Sequence, residues 1–177
     1  IYSTISFTPE EDKNYFVRFY SKDTSEDVIY NLKANTSGTL DLIVTDNHSA
    51  PSTVILDKEF NVSWEVENTG DIEVSPNWND YIYLSTDNKY DNNEDLKITS
   101  FSTNDKTFVD GKYQFNEKIT ISDYPSVTDV NDLANLHLIF VTDGNQEQPE
   151  NSDNNNYAAR KISLQIADLE VEGVTTD

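Results

Sequence analysis

The chain has 177 residues, enough for one domain of ordinary size with an additional segment. It carries 33 Asp and Glu against 12 Lys and Arg, which gives a formal net charge of −21. That charge repels the phosphates of nucleic acids and of anionic lipids, so no nucleic-acid partner is expected. Without Cys, disulfides and thiol chemistry are excluded. No apolar run approaches the roughly 20 residues that span a bilayer, so no membrane insertion is expected.

Residues 1–39 are predicted to be the terminal strands of a preceding β module. The runs Tyr15–Tyr20 and Asp27–Leu32 are rich in aromatic and β-branched residues, and a polar turn separates them. Two or three strands cannot bury a core of their own, so this segment needs a neighbour. The chain is therefore interpreted as a piece of a longer protein.

Residues 40–166 are predicted to form the main domain, an all-β, Ig-like, seven-stranded antiparallel β-sandwich. Its central strand is marked by Phe60, Val62, Trp64 and Val66, which alternate with polar residues. This period of two gives a strand one buried face and one wet face. The domain opens with a strand at Leu40–Val44. The other predicted strands lie near 58–68, 78–86, 95–101, 112–121, 135–142 and 157–166, with turn-forming residues between them.

The last residues repeat a pattern from the start of the main domain. Ala167–Val171 (ADLEV) is similar to Leu40–Val44 (LDLIV), and Thr and Asp follow in both places. Self-similarity of this kind is typical of tandem copies of one module. Residues 167–177 are therefore predicted to be the first strand of a following repeat or, alternatively, a donor strand exchanged between subunits.

The motifs of the main domain resemble one domain family. They are Asp41-Leu42-x-Val44, Val62-x-Trp64-x-Val66-x-Asn68-x-Gly70 and Trp78-x-Asp80-x-Ile82-Tyr83-Leu84-Ser85-x-Asp87. With these motifs, residues 40–166 resemble the CARDB family, the cell adhesion related domain found in bacteria. The resemblance implies an Ig-like sandwich in an extracellular adhesion or scaffold setting. The 143–156 loop departs from the family pattern because it is longer and more acidic. Residues 1–36 are similar, through Tyr15–Tyr20 (YFVRFY), to the closing strands of a pre-peptidase C-terminal type β-sandwich.

Two acidic loops are the candidate metal sites. The residues that offer oxygen ligands are Asp87, Asp91, Asn93 and Asp95 in the first loop, and Asp143, Glu147, Glu150 and Asp153 in the second. Calcium prefers carboxylate and amide oxygens, so Ca²⁺ is the expected ion. The first loop is not an EF-hand, because Leu96 stands where that motif needs Gly and Ser102 where it needs Glu. The alternative is that both are solvated loops that only turn the chain.

Antiparallel strands are expected to bring loops 69–79 and 143–156 to one end of the sandwich, with Asp71, Glu73 and Asp80 near the second acidic loop. Loops 87–95 and 122–134 are expected at the other end. The sequence thus predicts two acidic poles, each facing a neighbouring module. Carboxylates packed at such a joint repel one another unless cations intervene, so calcium is expected to stiffen the joints.

Together these patterns predict a non-catalytic structural or adhesion module of a large repeat-containing protein or filament. Its predicted location is secreted or on a bacterial cell surface. Its expected partners are neighbouring repeats or subunits of the same protein, and surface glycans or other cells. No Gly-x-Ser-x-Gly turn is present, and two His without Cys argue against zinc. The alternative function is a carbohydrate-binding accessory module of a secreted hydrolase. Trp64 and Trp78 are predicted core residues, but in that alternative Trp78 and Tyr81 would stack on sugar.

Overall fold

The computed structural model describes residues 38–125 and 130–166, which form eight strands and one short 3-10 helix. The strands are β1 (Leu42–Val44), β2 (Thr53–Ile55), β3 (Glu59–Asn68), β4 (Asn79–Ser85), β5 (Leu96–Ser102), β6 (Lys112–Thr120), β7 (Leu136–Val141) and β8 (Tyr157–Gln165), and the 3-10 helix spans Val130–Asn135. The strands predicted before residue 38 and the trailing strand predicted at 167–177 lie outside the described residues. No helix in the described part of the chain has the length and apolar character needed to cross a bilayer.

The strands form two sheets that face each other across one core. The first sheet has the order β1-β3-β6, and the second has the order β2-β8-β7-β4-β5. The predicted all-β sandwich is therefore confirmed. Each of the seven predicted strands is present, with ends within two residues of the predicted ones. The predicted count is short by one strand, β2, which pairs with β8 in parallel, whereas the other ladders are antiparallel.

The first strand of the sandwich is divided between the two sheets. β1 pairs with β3 in one sheet, and β2 pairs with β8 in the other. Pro51 lies between them, and it cannot donate a ladder hydrogen bond. A turn closes β2 at once, because Lys58 N–H donates to the Ile55 carbonyl and Asp57 has a φ of 60°. Three residues are too few to display a period of two, which explains why β2 was not predicted.

Trp64 is at the centre of the core and has no exposed surface. Its ring stacks on Phe115 of the same sheet with 4.6 Å between centroids and lies 5.6 Å from Phe140 of the facing sheet. Its neighbours at a spacing of two, Val62 and Val66, are also buried. Because Trp78 is buried as well, the core position predicted for both tryptophans is confirmed.

The two central strands of the second sheet, β4 and β7, are covered on both faces. Ile82, Leu84 and Phe140 belong to the core between the sheets. On the outer face, a second apolar cluster contains Tyr81, Tyr83, Ile139 and Val141, with Tyr90, Tyr157 and Ala159 packed against it. Burial on two sides explains why these strands are continuous apolar runs rather than alternating ones. The loop 86–95, which carries Tyr90, therefore folds back over the outer face of the sheet.

Candidate functional site: the acidic pole

The loops 69–78 and 142–156 meet at one end of the sandwich, which we call the acidic pole. Gly144 N–H donates to the Asn79 carbonyl at 3.2 Å, and Gln148 Nε2 donates to Asn77 Oδ1 at 3.0 Å. This proximity agrees with the expectation that loops 69–79 and 143–156 share one end. It arises because β4 begins where β7 ends, with Tyr81 opposite Val141 in their antiparallel ladder.

Glu150 holds the start of β1 against the acidic pole. Its Oε2 accepts a hydrogen bond from Leu42 N–H at 2.6 Å, and its Oε1 accepts one from Asn156 Nδ2 at 2.8 Å. Leu40 and Glu150 form an isolated parallel bridge, and Asn151 N–H donates to the Leu40 carbonyl. The Glu150 carboxylate therefore joins the 143–156 loop to the first residue of β1.

Negative charges at the acidic pole are close enough to disturb one another. The pKa of Glu150 is raised from 4.5 to about 7: burial is the largest cause and the charges of Asp143 and Asp153 add to it, while the hydrogen bonds from Leu42 and Asn156 oppose the rise. Burial also raises the pKa of Asp143, against the two backbone N–H groups of Glu147 and Gln148 that donate to its carboxylate at 3.0 and 2.8 Å. These acids therefore carry an electrostatic penalty that their hydrogen bonds only partly offset.

Asp80 was expected to approach the second acidic loop, and its carboxylate does accept a hydrogen bond from the Asp143 N–H group, although it is fully buried between the sheets. It accepts hydrogen bonds from Trp64 Nε1 at 2.9 Å and from the Tyr113 hydroxyl at 3.0 Å. The Tyr113 hydroxyl also lies 2.9 Å from Thr142 Oγ1, and Trp78 Nε1 donates to both hydroxyls. The network joins the two sheets through hydrogen bonds. Because the chain has no cysteine, no disulfide links the sheets.

A signal for this network exists in the sequence. Asp80, Ile82 and Leu84 share one face of β4, because side chains alternate along a strand. An acid on the same face as two core residues must be buried, and a buried acid needs donors. Trp64 and Tyr113 are the donors that the fold supplies, but their pairing with Asp80 is a tertiary contact that no local pattern reveals.

The first acidic loop begins at the far end, as expected, because Ser85 lies opposite His137 at the start of β7, but the loop then folds back over the sheet. It was predicted to stand at the far end with 122–134, whereas Tyr90 packs on the outer face of the second sheet, 5.0 Å from Tyr83 and 6.0 Å from Tyr157 between ring centroids. Asn92 and Tyr90 consequently line a cavity together with Asp143 and Asp153. The packing of Tyr90 on the sheet face therefore decides where this loop lies, and the direction of the strands alone does not.

The carboxylates of the 86–95 loop are occupied by its own backbone. Asp87 accepts from Lys89 N–H, Asp91 from Asn93 N–H and Asp95 from Asp91 N–H, all at 2.8–2.9 Å. Such contacts are typical of Asp residues that shape turns. In residues 38–125 and 130–166, no three His, Cys, Asp or Glu side chains form a group suited to a metal ion. The eight predicted ligands are therefore not gathered into one set, and calcium binding by them stays a prediction.

The structure contradicts the alternative in which Trp78 and Tyr81 would stack on a sugar. Both rings are buried, with 1% and 5% of their surface exposed. Tyr81 is covered by the outer cluster and by Lys97, whose Nζ lies 3.6 Å from the ring centroid. A ring must expose a face to stack on a sugar, so this pair cannot carry the carbohydrate-binding alternative.

No family model matches the sequence, and no curated protein matches it. Among solved structures, the chain is similar to the CARDB domain of a Pyrococcus furiosus protein, crystallised in complex with di-metal ions: identity is 16%, the TM-score is 0.49, and 76% of this chain and 100% of that chain are covered. A solution NMR structure of the same domain gives 17% identity and a TM-score of 0.48 over 71% of this chain and 95% of that chain.

Proposed function

We propose that this chain is a non-catalytic structural module of an extracellular, adhesion-related protein, and that it holds neighbouring modules at a distance under tension. The observation that carries the proposal is the direction of the chain. Leu42 lies at the acidic pole beside Glu150, whereas β8 starts at that pole with Tyr157 opposite Val141 and ends at the opposite pole with Gln165. A chain that passes from one pole to the other suits a serial array.

The pairing of β2 with β8 supports a load-bearing role. The two strands are parallel, with Thr53 opposite Ser163 and Ile55 opposite Gln165. Tension applied to the segment before β1 and to the segment after β8 pulls these strands in opposite directions along their length. The ladder is then sheared, so that its hydrogen bonds resist together, rather than being opened one by one.

The acidic pole supports the involvement of a divalent cation at the joint with the preceding segment. Asp143, Glu150 and Asp153 influence one another electrostatically. In the described parts of the chain, the ion pairs join Lys112 or Lys118 to glutamates of β3, and they do not involve Asp143, Glu150 or Asp153. Calcium would reduce the repulsion at the acidic pole and stiffen the joint. Such a role suits an adhesion module, which is what the sequence motifs resemble.

The proposal is tested by stretching single molecules of the full chain held at both ends. The critical variant is Leu56→Pro, because Leu56 N–H donates to the Gln165 carbonyl at 2.8 Å and proline removes that donor. Leu56 precedes Asp57 (φ 60°) in the turn closed by Lys58 and Ile55, a position that accepts proline. Leu56→Ala is the matched control, since it shortens the side chain and keeps the N–H group.

We expect Leu56→Pro to unfold at a clearly lower force than Leu56→Ala, because it weakens the β2–β8 ladder specifically. Equal unfolding forces for the two variants would show that the ladder does not bear the load. A wild-type chain that extends without a resolved unfolding force would contradict the mechanical proposal altogether.

A further inference from the structure

The second sheet ends at a free edge. β5 is the last strand in the order β2-β8-β7-β4-β5, and among the described strands it pairs only with β4. The Thr103 N–H group donates to the Trp78 carbonyl at 3.0 Å, which fixes the phase of this ladder. Because backbone groups along an antiparallel strand point to alternate sides, those of Ser100 and Ser102 point away from β4. Among residues 38–125 and 130–166, these groups have no backbone partner.

The two faces of β5 differ in polarity. Phe101 faces the core, with its ring centroid 5.2 Å from that of Trp64. Leu96, Ile98 and Phe101 pack against the core but are only half-buried. On the outer face, Lys97 is exposed and belongs to none of the ion pairs in the described part of the chain. The free edge therefore offers an apolar inner side, a cationic outer side and unpaired backbone groups between them.

Residues 167–177, which lie outside the described residues, have a sequence that is complementary to this edge. Acids alternate with apolar residues in its first part, which reads Asp168, Leu169, Glu170, Val171 and Glu172. In an extended segment, a period of two puts the three acids on one face and the two apolar side chains on the other. Paired with β5, such a segment would place acids beside Lys97 and apolar side chains over the half-buried core residues.

The direction of the chain favours the segment of a neighbouring copy over that of the same copy. β7 and β4 separate β8 from β5, so a chain's own segment would have to cross about 14 Å, at about 4.8 Å per strand. It would then run parallel to β5, because β8 is antiparallel to β5. A segment that continues in the direction of β8 reaches the next copy of a serial array at its acidic pole and runs antiparallel to that copy's β5.

We infer that residues 167–177 of one copy add to the free edge of β5 in the next copy, as a sixth and antiparallel strand of the second sheet. When a strand is added to a sheet edge, the backbone hydrogen bonds supply affinity and the alternate side chains supply specificity. Lys97 selects the partner, because a second β5 edge would bring a like charge and the acidic segment brings the opposite one. The inference names the contact that joins neighbours in the proposed structural function, and it rests on that function.

The test is sedimentation velocity of the full chain over the micromolar to millimolar range, at an ionic strength that screens the net charge of −21. Ser100→Pro removes the N–H group at the free edge and leaves the ladder to β4 intact. Ser100→Ala keeps the N–H group and is the matched control. The donor variant carries Leu169→Asn and Val171→Asn, which remove the apolar face of the segment.

We expect the wild-type chain and Ser100→Ala to form larger species as the concentration rises, whereas Ser100→Pro and the donor variant stay monomeric. An equimolar mixture of these two variants should form a one-to-one pair and nothing larger, because one supplies only the segment and the other only the edge. Tryptophan fluorescence checks that Ser100→Pro is folded. If it is not, Lys97→Glu tests the same edge without a backbone change and should weaken association several-fold.

The inference is overturned if the wild-type chain stays monomeric at millimolar concentration, or if folded Ser100→Pro associates like Ser100→Ala. It is also overturned if the two variants do not pair, or if the donor variant associates like the wild type, which would indicate pairing between two β5 edges. A monomeric chain that still resists stretching would lose this joint and keep the mechanical function. Association of a chain that unfolds without resistance would do the reverse.

Discussion

Asp80→Asn is the substitution that best tests how the core of this sandwich is built. Two opposing effects act on the buried Asp80 carboxyl group. Burial disfavours the charged form, whereas the Trp64 indole, the hydroxyls of Thr142 and Tyr113 and the Asp143 N–H stabilise it. Burial prevails, and the pKa of Asp80 is raised from 3.8 to about 6. The side chain is therefore protonated in mildly acidic solution and charged at neutral pH.

The sign of the pH dependence follows from the raised pKa. Between about pH 4 and pH 6 the folded protein holds a proton on Asp80 that the unfolded chain has released, so the free energy of unfolding falls as the pH rises. Two pKa units correspond to about 3 kcal/mol over the whole range. Because asparagine does not titrate, the stability of Asp80→Asn relative to the wild type should rise by about 2–3 kcal/mol from pH 4 to pH 7.

The assay is urea unfolding of both proteins at closely spaced pH values, followed by tryptophan fluorescence. The difference between the two proteins cancels the titration of the acids that they share, and the change of this difference with pH is unaffected by any constant penalty of the substitution. Asp105→Asn, in an exposed loop, is the control for the same exchange of carboxylate for amide outside the core. A difference for Asp80→Asn that falls with pH would refute the reasoning, because it would mean that the donors hold the pKa below its ordinary value.

Three further substitutions have defined outcomes. Glu150→Gln should become more stable relative to the wild type as the pH rises from 5 to 8, because the pKa of Glu150 is raised to about 7. This gain in relative stability should be smaller than for Asp80→Asn, because Glu150 is only half-buried. A difference in urea unfolding that does not change with pH would contradict the prediction. Gly70→Ala should lower the unfolding free energy by about 1–3 kcal/mol, because its methyl group would overlap the Thr39 carbonyl, and an unchanged melting temperature would contradict that contact. Lys112→Met removes two ion pairs of 3.1 Å, to Glu65 and Glu67, that are partly exposed. It should lower the stability only slightly and even less in high salt, and a large loss independent of salt would show that packing of the lysine stem matters more.

The acidic pole shows where local patterns stop being informative. Antiparallel topology was enough to bring the 69–78 and 143–156 loops together, because a loop must lie where its strands end. It was not enough for the 86–95 loop, since Tyr90 finds its partners Tyr83 and Tyr157 on a sheet face that is assembled from three strands. The same limit applies to Asn156, whose unpartnered oxygen has no counterpart in the sequence pattern.

The sequence by itself determined the positions of seven strands and the inward face of β3, because a period of two is written into consecutive residues. It also determined that Trp64 and Trp78 are core residues. Only the tertiary structure decided that β2 joins β8 in parallel, that Asp80 is buried under two aromatic donors, and that two acidic loops share one cavity. Each of these features depends on contacts between residues far apart in the chain. Those contacts stabilise the protein only when both sheets have formed.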